Sequence, residues 1–295
     1  MESNFFNVVL LPLALGIVML GLGLSLTIND FKRVVTYPKA MMIGLASQML
    51  ILPVVCFFIA KSFGLSPELA VGLMLLAASP GGPTANLYSH LSKGDVALNI
   101  SLTAVNSLLT LFTLPFIVNF AIHYFMESGQ VIPMQFKKVM EVFAIVLVPV
   151  SIGMILKAKF PSLSSILDKP VKILSALFLV FIIAGVVYQE KENIISYFEM
   201  VGVAALVFNL LSIAVGYYLP RMFSLKENQA IAIGMEIGIH NGTLAIYIAL
   251  SVVGNSVMSI PPAIYSLIMF FTAAAFGVFV NNRRIAKSKQ ILDVA

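Results

Sequence analysis

The chain has 295 residues, 60% of them hydrophobic and 11% charged, with a mean hydropathy of +1.00. A soluble domain carries about 25% charged residues, so this composition excludes a water-soluble globule and calls for an integral membrane protein. The net charge of +5 comes from basic residues scattered singly between apolar runs, a pattern of topology signals rather than nucleic-acid binding, and a single cysteine, Cys56, excludes intramolecular disulfides and cysteine-based metal centres.

A transmembrane helix needs about 20 mostly apolar residues. Nine stretches qualify, at 5–28, 39–60, 68–92, 96–125, 138–157, 171–188, 197–219, 227–251 and 259–281. None alternates in polarity as the strands of a lipid-facing barrel do, so the expected fold is all-α. The first run follows Glu2 rather than a basic segment, and no small-residue cleavage site comes after it. It reads as a retained span. The connections after spans 1, 3, 5 and 7, together with the C-terminal tail, hold 14 of the 18 basic residues; only Lys61, Lys137, Lys138 and Lys191 lie on the other side. By the positive-inside rule the N-terminus is outside and the C-terminus cytoplasmic. The whole chain, 1–295, reads as one polytopic transporter domain.

The third span contains SPGGPTAN at 79–86. Pro80 and Pro83 lack amide hydrogens and clash with a continuing helix, and Gly81 and Gly82 accept backbone angles that other residues resist. The helix is expected to unwind here and restart near Thr84. Unwound backbone at membrane depth is tolerated only inside protein or against a water-filled cavity. It frees carbonyls for a cation, and the start of the next half-helix offers amides and a positive dipole end to an anion.

Span 8 carries a counterpart. Residues 65–84 overlay residues 225–244 at a constant separation of 160, with Leu65 on Leu225, Ala70 on Ala230 and Gly82 on Gly242. There Gly238 and Gly242 take the helix-breaking part. Segments five spans apart run antiparallel, as an inverted-repeat transporter requires, and paired interruptions mark its binding site. The first repeat covers 5–125 with four spans and lacks one helix; the second, inverted repeat covers 138–281 with five.

Glu236 lies near the middle of span 8, and no lysine or arginine lies at comparable depth. A buried carboxylate in a membrane is expensive and usually faces a cavity and a partner. A bound cation or a proton would serve. Gln48 on span 2 and Asn99, Thr103 and Asn106 on span 4 add neutral oxygens, the last three sharing one helical face at i, i+4, i+7. Hard cations prefer such oxygens. His240 follows Glu236 by one turn and reads as a cation ligand, a proton carrier or a partner for the broken backbone. Walker A, HExxH and GxSxG sequences are absent, so the chain does not read as an enzyme or an ATP-driven pump.

SPGGPTAN (79–86), KGDVALNISLT (93–103) and EIGIHNGTLA (236–245) resemble the bile acid:sodium symporter family, including bacterial homologues of the apical and hepatic bile acid transporters. The resemblance covers essentially the whole chain. It implies core and panel domains with two crossing discontinuous helices, in the nine-span form. It also implies one sodium site from Asn86, Asn99, Thr103 and Glu236. A second would use Gln48, Glu236, His240 and the main-chain carbonyls of Ile237 and Ile239. Substrate would meet Thr84, Ala85, Asn241 and Gly242 at the half-helix ends. The chain departs from the family pattern at Ala85 and Asn99, where serine is usual, and at His240, where glutamine is usual. The expected function is sodium-coupled symport of an organic anion, bile-acid-like or a smaller carboxylate, in the cell membrane. A proton-coupled carrier or exporter and a non-transporting sensor are the alternatives. Sodium is a co-substrate; no cofactor and no nucleic-acid partner are expected, and oligomeric state is not encoded in any motif.

Overall fold

A computed structural model describes residues 5–126 and 136–292. The connection at 126–130 lies, beyond Met126, outside the described residues. All regular structure among the described residues is helical: α1 Phe6–Ser25, α2 Ile28–Thr36, α3 Pro38–Ser62, α4 Pro67–Ala78, α5 Ala85–Leu91, α6 Val96–Phe125, α7 Phe136–Lys159, α8 Pro161–Gln189, α9 Ile194–Met222, α10 Glu227–Gly238, α11 Gly242–Val253 and α12 Ile260–Leu292. Seven of the helices are long and apolar enough to cross a membrane. The pairs α4–α5 and α10–α11 are the two interrupted segments. In the first, the break runs from Ser79 to Thr84; in the second it is only Ile239 to Asn241. Two prolines lengthen the first break, because neither can donate to a helical ladder.

The helices sort into two bodies. In the smaller, α1, α7 and α8 pack on one another. Gly23 and Gly153 bring the backbones of α1 and α7 together, since a β-carbon at either would strike main-chain atoms of the other helix. Small residues at such crossings are how membrane helices approach closely. The larger body combines α3 to α6 with α9 to α12; α10 contacts α5, α6, α9 and α12, and its residues from Ala230 to Gly238 are all buried.

The 160-residue correspondence recurs in individual hydrogen bonds. Before α4, Phe63 N donates to Ile59 O, Gly64 N to Lys61 O and Leu65 N to Ala60 O. Before α10, Phe223 N donates to Leu219 O, Ser224 N to Arg221 O and Leu225 N to Pro220 O. Gly64 and Ser224 both take a left-handed conformation, at φ 60°. Past the breaks, Asp95 Oδ1 accepts from Leu98 N at 3.0 Å, and Asn255 Oδ1 accepts from Met258 N at 3.2 Å. The turns that enter and leave each interrupted helix are therefore the same device used twice.

Candidate cation and substrate site

The two breaks meet. Gly82 N donates to Ile239 O at 2.7 Å, and Asn241 N donates to Pro80 O at 2.8 Å. Gly81 and His240 form an isolated antiparallel bridge between them. Each break thus satisfies backbone groups that the other left open, which a hydrocarbon environment demands.

Glu236 sits in the last turn of α10, 1% exposed. Its Oε2 accepts from Thr103 Oγ1 at 2.6 Å, and the side chain of Asn106 also faces the carboxylate. Oε1 has no donor, and none of the ion pairs among the described residues includes it. Gly81 lies directly on this carboxylate, so that a β-carbon there would overlap Oε1. The i, i+4, i+7 stripe on α6 is the face that meets α10: Asn99 Nδ2 donates to Ala232 O at 2.6 Å, one turn before the Thr103–Glu236 contact.

Three further oxygens among the expected ligands lack donors, Asn86 Oδ1, Asn99 Oδ1 and Gln48 Oε1, as do Asn209 Oδ1 and Ser266 Oγ. Donation from Asn99 Nδ2 to Ala232 O, and from Gln48 Nε2 to Ser79 O at 2.8 Å, identifies the free atom of those two amides as oxygen. A buried polar atom without a partner is a costly exception in a folded protein. Carboxylate and amide oxygens are the kind of ligand that hard cations prefer. No cluster of three His, Cys, Asp or Glu residues for a softer metal occurs among the described residues.

His240 lies on the other side of the crossover. Its Nδ1 is 3.3 Å from Gln48 Nε2 and 3.4 Å from Ser79 O. The ring stacks on Phe208 at 5.7 Å and meets Tyr265 edge-on at 5.3 Å, while Nε2 has no partner. The structure therefore brings Gln48 to His240, and Thr103 to Glu236. Ile237 is buried in the last turn of α10, and the Ile239 carbonyl already accepts the Gly82 amide. Among the substrate-facing expectations, Thr84 is the residue preceding α5, and Ala85 is fully buried. Asn241 Oδ1 accepts from Leu244 N at 3.0 Å and caps α11. Gly242 lies against Ser266 Oγ. Pro83 sits within the first break, and Gly238 ends α10.

Sequence reasoning missed the supports. Asn209 Nδ2 and Tyr265 OH both donate to Gly238 O, at 2.9 and 3.0 Å, holding the open end of α10. Asn209 is a lone amide in mid-span, a signal that was available; Tyr265 carried none among nine tyrosines. Thr110 continues the α6 stripe by one more turn, its Oγ1 3.4 Å from Asn106 Oδ1. It also lines a small, mostly apolar cavity between α6, α7 and the start of α11, with Leu111, Leu114, Val142, Phe143 and Leu244.

A paired, mutually bonded break beside an unpaired buried carboxylate is the arrangement of an ion-coupled membrane carrier. The model of the sodium bile acid symporter family matches residues 12–197. The chain belongs to that family. It is 27% identical over 284 residues to a probable sodium/metabolite cotransporter of the chloroplast from Oryza sativa subsp. japonica, covering 96% of this chain and 65% of the rice protein. It is 28% identical to an uncharacterized sodium-dependent transporter of Bacillus subtilis (strain 168), over 86% of this chain and 77% of that one. With the ileal sodium/bile acid cotransporter of Homo sapiens it shares 26% identity, over 98% of this chain and 88% of the human protein. As a member of this family the chain is a multi-pass, all-α membrane protein of the transporter class.

Proposed function

We propose that this chain is a secondary symporter that carries a small organic anion into the cell with sodium. The single observation that carries the reading is Glu236: a buried carboxylate with one oxygen unpaired, at the crossing of two broken helices. Asn86, Asn99, Thr103 and Glu236 form one sodium site; Gln48, His240, Glu236 and the carbonyls of Ile237 and Ile239 form a second. The anion binds against the half-helix starts at Thr84, Ala85, Asn241 and Gly242, where helix dipoles favour negative charge. Residues 5–125 and 138–281 are the two inverted repeats, and alternating access arises when the smaller body rocks against the larger. The protein lies in the cell membrane with its N-terminus outside and its C-terminus in the cytoplasm, in keeping with the distribution of its basic residues.

Proteoliposome uptake is the test. An inward sodium gradient is expected to drive accumulation of an anionic metabolite, and Glu236→Gln is expected to abolish that dependence while the protein stays folded. Uptake driven equally by a pH gradient without sodium would assign protons as the coupling ion. Binding without uptake would make the chain a sensor. Sodium dependence that survives in Glu236→Gln would refute the site.

A further inference from the structure

Where α9 ends and α10 begins, two arginines share one carboxylate. Glu227, the first residue of α10, meets Arg221 Nη1 of α9 at Oε1, 3.5 Å away, and Arg284 Nε of α12 at Oε2, 3.6 Å away. Tyr217 OH also donates to Oε1, at 3.1 Å, and the Arg221 guanidinium lies over the Tyr217 ring, 5.5 Å from its centroid. Among the described residues no other acidic side chain pairs with either arginine. One positive charge is therefore left unmatched. Lys226 and Arg283, next to them along the chain, are exposed and add two more. N–H groups are left over as well. A guanidinium carries five; Arg221 turns one to Glu227, and Arg284 turns one to Glu227 and one to Lys93 O at 3.2 Å. The side chains of Arg221 and Arg284 are only 31% and 26% exposed, so the excess charge is held in place by its neighbours.

The surroundings of this charge are apolar. Met222 and Phe223 follow Arg221, Ile285 follows Arg284, and all three are exposed. Both α9 and α12 are long and apolar enough to cross a membrane, so their shared end lies where hydrocarbon gives way to headgroups. There an arginine lays its stem along the apolar layer and holds its charge among the headgroups. A soluble anion would meet the guanidinium groups alone. A phospholipid meets them and covers the three apolar side chains too. On the orientation proposed above, this end faces the cytoplasm, where the leaflet carries anionic lipid and basic clusters between spans take its headgroups.

We infer that Arg221 and Arg284 form a binding site for an anionic phospholipid. Its phosphodiester takes the free N–H groups, a match that guanidinium geometry favours, and its acyl chains lie against Met222, Phe223 and Ile285. The site sits at a junction of the fold. Arg284 reaches Lys93 O in the turn after α5, Asn281 Nδ2 donates to Leu91 O at 3.3 Å, and Asp95 N donates to Asn228 O at 2.9 Å. One turn of α12 thus ties down the last residue of α5 and, through Glu227, the first of α10. A lipid that fixes Arg284 holds both interrupted segments at that end, so anionic lipid stabilises the larger body.

The experiment reads the thermal unfolding midpoint of the purified protein in neutral detergent as dioleoyl phosphatidylglycerol is added. Dioleoyl phosphatidylcholine and inorganic phosphate are the controls. Phosphatidylglycerol is expected to raise the midpoint saturably, as a ligand of the folded state does, and the controls are not. Arg221→Gln and Arg284→Gln are each expected to raise the half-maximal lipid concentration roughly fivefold, the attraction of one basic residue to anionic lipid; either alone is informative if the other folds poorly. Glu227→Gln breaks the same ion pairs and keeps both arginines, so its lipid response is expected to persist. The double variant Lys32→Gln with Lys39→Gln removes two charges elsewhere on the same side and is expected to respond like the wild type. Phosphatidylcholine or inorganic phosphate as effective as phosphatidylglycerol would overturn the proposal. So would a loss of response in Glu227→Gln as large as in Arg284→Gln, the mark of an ion pair with a structural role only. Equal losses in the Lys32 and Lys39 pair and in the Arg221 and Arg284 pair would reduce the effect to net charge and refute a site. None of these readings involves sodium, so the assignment of Glu236 stands or falls separately.

Discussion

The two halves of the larger body share their turns and differ in their chemistry. Gly64 and Ser224 enter the interrupted helices through the same bonds, and Asp95 and Asn255 leave them through the same cap. Yet most positions 160 residues from the candidate ligands are apolar: Phe208 for Gln48, Leu76 for Glu236, Ile246 for Asn86, Ala263 for Thr103 and Pro80 for His240, while Asn99 maps to Ser259. Only one of the two interrupted segments carries a mid-span carboxylate. The turns are duplicated and the carboxylate is not, so on the proposed reading the shared turns belong to the fold and the unshared oxygens to the coupling.

Mutations can break or sharpen this contrast, and Gly81→Ala has the largest expected effect. Its methyl would overlap the Glu236 carboxylate at a crossover whose backbone is bonded on both sides. Loss of sodium-dependent stabilisation and of uptake is expected. Gly242→Ala, at the helix start just past the other break, meets Ser266 Oγ most closely, a group that a single substitution can remove; its loss should be smaller and relieved in part by Ser266→Ala. Comparable damage from both glycine variants, with no relief, would mean that the two breaks are equally constrained.

Next in size are the supports found only in the second repeat. Asn209→Ala and Tyr265→Phe each remove one of two donors to Gly238 O. Each should cost about 1 kcal/mol or a little more, read as a lower midpoint in thermal unfolding. The double variant should lose more than the sum, because the carbonyl is then buried without a donor. The caps should give the smallest and most symmetrical effects. Asp95→Ala and Asn255→Ala should each cost about 1 kcal/mol without moving the sodium midpoint. A cap variant that shifted sodium affinity would erase the division between fold and coupling.

Much of this was legible in the sequence. Two prolines and two glycines in four consecutive positions of an apolar run point to an interruption, unlike the single Pro115 and Pro149, which sit inside continuous helices, and a carboxylate with no basic residue at its depth can only be neutral or served by something else. The α6 stripe followed from helical spacing alone. What the sequence hid were pairings of anonymous groups. The bonds between Gly82 and Ile239 and between Asn241 and Pro80 use main-chain atoms, which every residue has. The 160-residue overlay sets Gly82 on Gly242, but the bridge itself joins Gly81 to His240. Tyr265 was invisible for a similar reason: its hydroxyl matters only because one carbonyl, far off in sequence, has lost its helical partner.

The cross-bonded breaks also bear on how the protein is made. Gly82 N and Pro80 O emerge from the ribosome about 160 residues before the groups that complete them. Until α10 and α11 are synthesised, the first interrupted helix would leave open backbone groups in hydrocarbon, at several kcal/mol each. It therefore has no finished resting state in the bilayer on its own. The first repeat must wait, close to water or to the insertion machinery, and biosynthesis closes on the second break, the step that seals both.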